Sequence, residues 1–155
     1  MIPAKASARI KINTTLIGIS MGVFFFLFSF RPEAFVENKI LLLQLILSIP
    51  LLFFSSLAYA KVGYKKQVEM WNNYGWFGFA TAHAFLINVI GVLSGIYIDI
   101  FVAIIFFIVY WALTLIYSFI DLRYSKKSLG ERLKKDLYFI SLQIIGGIFI
   151  LLGIL

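Results

Sequence analysis

The sequence contains no cysteine, which excludes disulfides, thiolate nucleophiles and thiolate metal sites. Charge is scarce as well: 14% of the 155 residues are charged, whereas a soluble domain has about 25%. Apolar residues make up 62% of the chain, too many to enclose in a core while polar groups still cover the surface. The composition therefore predicts a single transmembrane domain, residues 1–155, whose surface faces lipid over most of its area.

Acidic residues are also few, and their positions are poor for catalysis. All seven lie in loops or at the ends of apolar stretches, so no pair of carboxylates lies deep in the membrane. The sequence has no nucleophile–base pair, no phosphate-binding glycine loop and no His-Glu-x-x-His motif. A single histidine without cysteine makes a poor metal site. We expect neither enzyme activity nor a metal nor a cofactor.

Five apolar stretches reach or approach the roughly 20 helical residues that cross the hydrocarbon of a bilayer. Lipid offers no hydrogen bonds to exposed backbone and no alternating barrel pattern is present, so the predicted fold is an all-α bundle of five transmembrane helices. Only Gly95 and Asp99 separate the third apolar stretch from the fourth, so we expect the two helices to form a tight hairpin. A re-entrant third segment, with four true spans, is the alternative. The stretches are residues 13–30, 40–60, 76–98, 100–120 and 137–155.

The basic residues are distributed unevenly between alternate loops. All but two of the 14 fall in the N-terminal leader or in the loops 61–70 and 121–136, the exceptions being Arg31 and Lys39. The positive-inside rule therefore predicts a multi-pass protein of the plasma or inner membrane, with the N-terminus in the cytoplasm and the C-terminus outside. No small-residue cleavage site follows the first apolar run, so we interpret that run as a retained anchor.

Glycines recur at helical spacing in three of the spans, where they allow two backbones to approach closely. In the first span, Gly18 and Gly22 share a face and predict a packing seam within the chain, with self-association as the alternative. The same spacing selects Gly91 and Gly95 in the third span, and Gly146 and Gly153 in the fifth. This much close-packing surface predicts a homo-oligomer or a subunit of a larger membrane complex.

Polar side chains inside the spans form a candidate intramembrane site. His83 and Asn88 are roughly 140° apart around the helix axis, so they do not line one narrow pore. For His83 we favour a structural role, in which the neutral ring donates a hydrogen bond to a tyrosine or a backbone carbonyl. Ligand binding or proton handling is the alternative, because an ionisable residue inside a membrane is costly to bury without a partner. The candidate residues are Thr81, His83 and Asn88 in the third span and Tyr110, Thr114 and Tyr117 on one face of the fourth.

The segment before the third span carries aromatic residues typical of a membrane interface. Trp71, Tyr74 and Trp76 are predicted to anchor this boundary, because amphipathic rings favour the headgroup depth. Asn72 and Asn73 suit a turn or a helix start before the span. Later in the chain, Ser128 and Glu131 match a capping box, which predicts a helix from about Leu129 into the fifth span.

The two basic loops form a candidate docking surface for anionic lipid headgroups or for a soluble cytosolic partner. The net charge of +7 follows the topology rule, so no nucleic-acid partner is expected. We expect a non-catalytic anchor or scaffold subunit; a small homo-oligomeric channel or transporter, with its pathway along the polar face of the fourth span, is the alternative. The candidate docking residues are Lys61, Lys65, Lys66, Arg123, Lys126, Lys127, Arg132, Lys134 and Lys135.

Overall fold

A computed structural model of the chain describes residues 2–33, 38–62, 68–124 and 129–154. Nearly all of these residues are helical, as predicted. The long helices are α1 (Ile2–Phe30), α2 (Lys39–Val62), α3 (Val68–Tyr97), α4 (Ile100–Tyr124) and α5 (Leu129–Gln143). A π-helix, Ile144–Ile148, and a short final helix α6, Phe149–Leu151, continue directly from α5.

Four of these helices, α1 to α4, are long and apolar enough to cross a membrane, as expected of a multi-pass helical membrane protein. The third stretch is one uninterrupted helix of 30 residues, without the internal turn that a re-entrant segment needs. The predicted fifth span, 137–155, does not qualify as a single helix, because the π-helix interrupts it. That fifth crossing and the orientation of the termini stay predictions.

Two helices begin earlier than the apolar pattern predicts. α1 starts at Ile2, so the basic leader belongs to the first helix; Pro3 lies in its first turn, where a missing N–H leaves no helical bond unmade. α3 starts at Val68, so Asn72 and Asn73 lie inside the helix, and the predicted turn or helix start at these two residues is wrong. Hydropathy marks the part of a helix that suits hydrocarbon, and a helix can extend beyond it among polar headgroups.

The chain divides into two compact units, residues 1–86 and 87–155. The first unit contains α1, α2 and the part of α3 that ends at Leu86. The second unit contains the rest of α3 and all later elements. Each unit has its own pattern of buried side chains.

In the first unit, α1 and α2 pack antiparallel with a seven-residue repeat. The repeat follows from hydrogen bonds that pair Asn13 with Ser55 and Ser20 with Ser48, seven residues apart on both helices. Such a repeat keeps one seam facing the partner helix and is typical of left-handed coiled coils. The buried positions are Ala6, Asn13, Ser20 and Leu27 on α1, and Leu41, Gln44, Leu45, Ser48, Leu52, Ser55, Ala58, Tyr59 and Val62 on α2.

In the second unit, the end of α3 and the start of α4 form the predicted tight hairpin. Only Ile98 and Asp99 connect the two helices, and the Asp99 carboxylate accepts a 2.7 Å hydrogen bond from the Phe101 N–H. That bond caps the first turn of α4. A Cβ added to Gly91 would lie 2.5 Å from the Phe107 ring, so the glycine lets the two helices pack closely around a fully buried phenylalanine.

Candidate functional site

The centre of the first unit is a hydrogen-bond relay through three helices. The Asn13 side-chain amide on α1 donates to the Ser55 hydroxyl on α2 at 2.9 Å, and that hydroxyl donates to the carbonyl of Gly75 on α3 at 2.7 Å. The Asn13 amide also lies 3.2 Å from the Ser56 hydroxyl. Both Asn13 and Ser55 are completely buried. The relay satisfies the Asn13 NH2 group and the Ser55 hydroxyl, which would otherwise be costly to bury in an apolar interior.

A second polar layer lies one heptad from the relay. The hydroxyls of Ser20 and Ser48 are 3.3 Å apart, and each also approaches a carbonyl on its own helix. Gln44 is buried on the same face of α2. The polar side chains on this face of α2 therefore contribute to the contact between α1 and α2.

Two glycines that the sequence analysis did not single out bring α3 against α2. A Cβ added to Gly75 would lie 3.0 Å from the Tyr59 ring, and one added to Gly78 would lie 3.0 Å from the Leu51 carbonyl oxygen. A side chain at either position would push the helices apart. The signal was present in the sequence as two glycines three residues apart, which share a helix face.

His83 is half-buried in the first unit, against aromatic and basic neighbours. Its ring centroid lies 5.4 Å from that of Phe79, and the Arg9 guanidinium carbon lies 4.7 Å from the same Phe79 ring. Thr81 donates its hydroxyl to the Phe77 carbonyl on its own helix at 2.8 Å. These two candidate residues belong to the first unit, whereas the other four belong to the second.

Asn88 is the polar centre of the second unit. Its side-chain amide donates to the carbonyl of Leu142 at 3.1 Å, immediately before the π-helix, and the residue is fully buried. Within the π-helix, the N–H of Phe149 bonds to the carbonyl of Ile144, five residues earlier. A Cβ added to Gly147 would lie 2.8 Å from the Asn88 oxygen and 2.7 Å from the Phe107 ring. Only a glycine leaves the irregular turn room beside these two side chains.

A second buried amide links α4 to α5. The indole N–H of Trp111 donates to the side-chain oxygen of Gln143 at 2.6 Å, and Gln143 is fully buried. Helical spacing gives no sign of this contact, because the two residues are 32 positions apart in the chain. The bond joins two helices through side chains alone.

The hydroxyl face of α4, the predicted lining of a pathway, packs only in part against other residues of the second unit. The ring of Tyr110 lies against that of Phe139, with centroids 6.1 Å apart. Thr114 donates its hydroxyl to the Tyr110 carbonyl at 2.9 Å, one turn back on the same helix. Tyr117 is 56% exposed, and Ser118 takes the buried position beside it.

An ion cluster joins the end of α4 to the start of α5. Arg132 donates to the Ser118 hydroxyl from two nitrogens, at 2.7 and 3.0 Å, and lies 3.2 Å from the Asp121 carboxylate. Its Nε is 3.4 Å from Asp136, and its guanidinium lies over the Tyr117 ring. The Arg132 side chain is only 12% exposed. Its charge is therefore balanced inside the chain rather than presented to a partner.

The other candidate docking residues differ in their exposure. Arg123 and Lys134 are exposed, Lys135 is half-buried, and the Lys61 ammonium lies 4.8 Å over the ring of Trp71. Lys65, Lys66, Lys126 and Lys127 lie outside the described residues, as does Ser128 of the predicted capping box.

The predicted packing glycines have different surroundings. A Cβ added to Gly18 or Gly22 meets nothing within 4 Å, so the predicted seam within the chain is wrong for this face of α1, and self-association stays a prediction. Gly91 and Gly95 are closely packed, whereas Gly146 is half-buried beside the buried Gly147. Gly153 has a positive φ of 67° and ends the last helix, with N–H bonds from Gly153 and Ile154 back into the final turn.

The three predicted interface residues lie in the first turns of α3. Trp71 packs against the cluster of Ala6, Tyr59 and Val62, and the Tyr74 ring meets the edge of Phe54. Trp76 is half-buried. These rings lie near the end of the first unit at which α3 begins.

Comparison with protein-family models, with curated proteins and with solved structures gives no match for this chain.

Proposed function

We propose that this protein is a non-catalytic anchor or scaffold subunit of a membrane complex. The observation that carries the proposal is that polar side chains inside the apolar helices form hydrogen bonds with neighbouring helices. Asn13, Asn88 and Gln143 each bond to a different helix of the same unit, through Ser55, the Leu142 carbonyl and Trp111. Hydrogen bonds of this kind hold helices together in lipid.

A transport pathway makes a different demand on such groups. Channels and transporters turn polar atoms toward a water-filled space that ions or substrates cross. The α4 face that is the best candidate for such a lining packs Tyr110 on Phe139 and turns the Thr114 hydroxyl onto its own helix. This packing favours a structural role over conduction within one copy.

The docking surface of the proposed subunit contains Arg123 and Lys134, with Lys135 at its edge. Each exposed Lys or Arg near an anionic leaflet adds about 1 kcal/mol of attraction. The same charges complement an acidic patch on a soluble protein. Arg132 is excluded from this surface because its two carboxylate neighbours already balance its charge.

A second copy of the chain is the proposed partner within the membrane. Gly18 and Gly22 leave an open face on α1. In α4, only 11% of the residues in the most apolar 18-residue segment are buried. Both surfaces are available to another copy or to lipid. A channel formed between copies is the second candidate function, and it depends on this open surface of α4.

Purification of the tagged protein in mild detergent, followed by mass spectrometry, tests the proposal. We expect a stoichiometric soluble partner that is lost when Arg123, Lys134 and Lys135 are all changed to glutamine. Changing Arg31 and Lys39 to glutamine is the control, because both lie in the loop predicted on the opposite side. A homo-oligomer without a partner would contradict the anchor and support the channel.

A further inference from the structure

A cavity of about 330 Å³ lies at one end of the first unit, where α1 begins, α2 ends and α3 begins. All three helices contribute to its walls. Its floor is mostly apolar and consists of Ala6, Val62 and Tyr59, whose ring also carries a hydroxyl. The polar side chains on its walls are Lys5, Glu69 and Asn72.

The floor of this cavity is held rigidly by helix packing. Ala6, Tyr59 and Val62 are each at most 6% exposed and form one cluster. The Tyr59 ring is held against the backbone of Gly75, where a Cβ would lie 3.0 Å from the ring. An apolar floor of this kind suits the glycerol and first methylene groups of a lipid.

Among the described residues that line the cavity, one carries a positive charge and one a negative charge. Lys5 and Glu69 are both exposed, and in the part of the chain that the structure describes neither takes part in an ion pair. Asn72 adds an amide that both donates and accepts hydrogen bonds. A cation and an anion over an apolar floor complement a ligand that is itself zwitterionic and amphipathic.

The position of the cavity indicates the source of such a ligand. It lies at the ends of three helices that are long and apolar enough to cross a membrane. Trp71 packs against the floor cluster, and the Lys61 ammonium lies over the Trp71 ring. Aromatic and basic side chains concentrate where lipid headgroups meet the hydrocarbon.

We propose that this cavity binds the phosphoethanolamine headgroup of a membrane lipid, with Lys5 at the phosphate and Glu69 and Asn72 at the primary ammonium. Glu69 opposes a purely anionic headgroup, because like charges repel. A choline headgroup has no N–H to donate to Glu69 or Asn72, so it forms weaker contacts. The site goes beyond the proposed anchor function and uses none of its docking residues.

Native mass spectrometry of the detergent-purified protein tests the site with three lipids of identical chains. The headgroups are phosphoethanolamine, phosphoglycerol and phosphocholine. We expect the phosphoethanolamine lipid to bind about fivefold more tightly than the other two, since exposed charge contacts are worth up to about 1 kcal/mol. Lys5→Gln and Glu69→Gln should each remove most of that preference, and Glu69→Gln should also strengthen binding of the phosphoglycerol lipid.

The controls are Lys11→Gln and Glu33→Gln, which remove the same charges at exposed positions outside the cavity. Equal binding of the three lipids, or an equal loss in the control variants, would overturn the proposal. Water-soluble glycerophosphoethanolamine separates a lipid from a free zwitterion as the source. We expect it to compete only at far higher concentration than the lipid; equal affinity would overturn the lipid assignment. The docking variants Arg123→Gln and Lys134→Gln should bind the lipid normally, so failure here is distinguishable from failure of the anchor function.

Discussion

The first and second units both bury amide side chains between apolar helices, but they surround them differently. In the first unit, Asn13 lies in a regular heptad seam and bonds to the small side chain of Ser55. In the second unit, Asn88 and Gln143 lie beside an irregular π-helix, among the bulky rings of Phe107 and Trp111. The Asn13 amide fits a contact that repeats along two regular helices, whereas Asn88 and Gln143 lie where a π-helix interrupts a regular helix.

The difference shows two uses of a buried amide in lipid. A polar residue in a heptad seam specifies which layers face each other. Sliding α2 by one heptad would place Asn13 opposite Val62 in one direction and Ser20 opposite Leu41 in the other, and neither apolar side chain offers a hydrogen-bond acceptor. In the second unit, Asn88 donates to a backbone carbonyl next to the π-helix. Helix irregularities persist where side chains satisfy the groups around them.

The largest expected effect is on the ion cluster of the second unit, which has no counterpart among the described residues of the first. Arg132→Gln removes the guanidinium that lies between Asp121 and Asp136, and we expect the free energy of unfolding to fall by about 2–3 kcal/mol. Arg132→Lys should recover only part of the loss, because lysine lacks the planar fork that reaches Ser118 and the carboxylates together. Denaturant titration in detergent measures both, with Lys134→Gln as the exposed control; equal effects of Arg132→Gln and Lys134→Gln would contradict the cluster.

The next effect concerns the close packing of the second unit. Gly147→Ala places a methyl group against Phe107 and Asn88, and overpacking of this kind costs about 1–3 kcal/mol. Gly18→Ala is the matched control, because the same methyl group meets nothing in the first unit. Thermal unfolding followed by circular dichroism should separate the two variants. A Gly147→Ala protein as stable as Gly18→Ala would show that the π-helix is not closely packed.

A smaller effect is expected from the hydrogen bonds that the buried amide side chains make, which can be compared directly between the two units. Double-mutant cycles on Asn13→Ala with Ser55→Ala, and on Trp111→Phe with Gln143→Leu, measure each coupling energy from unfolding titrations. We expect roughly 0.6 kcal/mol for each pair, the average for side-chain bonds between membrane helices. Additive effects in either cycle would mean that the bond in that unit does not stabilise the fold.

The smallest expected effect is at Thr114. Its hydroxyl bonds back to its own helix, so Thr114→Val removes no contact between helices. The unfolding free energy should change by no more than about 0.5 kcal/mol. A larger loss would show that this face of α4 holds a neighbouring helix through the hydroxyl.

Hydropathy predicted the helical class and the approximate positions of the first four spans, because lipid leaves the backbone few alternatives. It did not predict where α1 and α3 begin, since both helices extend past their apolar parts. The fifth stretch is similar: its composition indicates a span, but no sequence pattern predicted the π-helix at Ile144–Ile148.

Helical periodicity predicted less reliably which face of a helix is buried. It chose Gly18 and Gly22 as the packing face of α1, whereas the buried face carries Asn13 and Ser20. Both stripes contain small or polar residues at helical spacing, so the sequence offers no means of deciding between them. The partners of Asn13 and Gln143 are distant in the chain, and such pairs follow from the packing of helices rather than from local spacing.

Ion flux into sealed liposomes tests the central claim, that the buried polar side chains hold helices together rather than line a pathway. Purified wild-type protein is reconstituted at several protein-to-lipid ratios, and flux is followed with an encapsulated ion-sensitive dye. The account predicts the same flux as in liposomes without protein at every ratio. Flux that rises with the amount of protein and falls in the Thr114→Val variant would contradict it, and would assign the polar face of α4 to a pathway between copies.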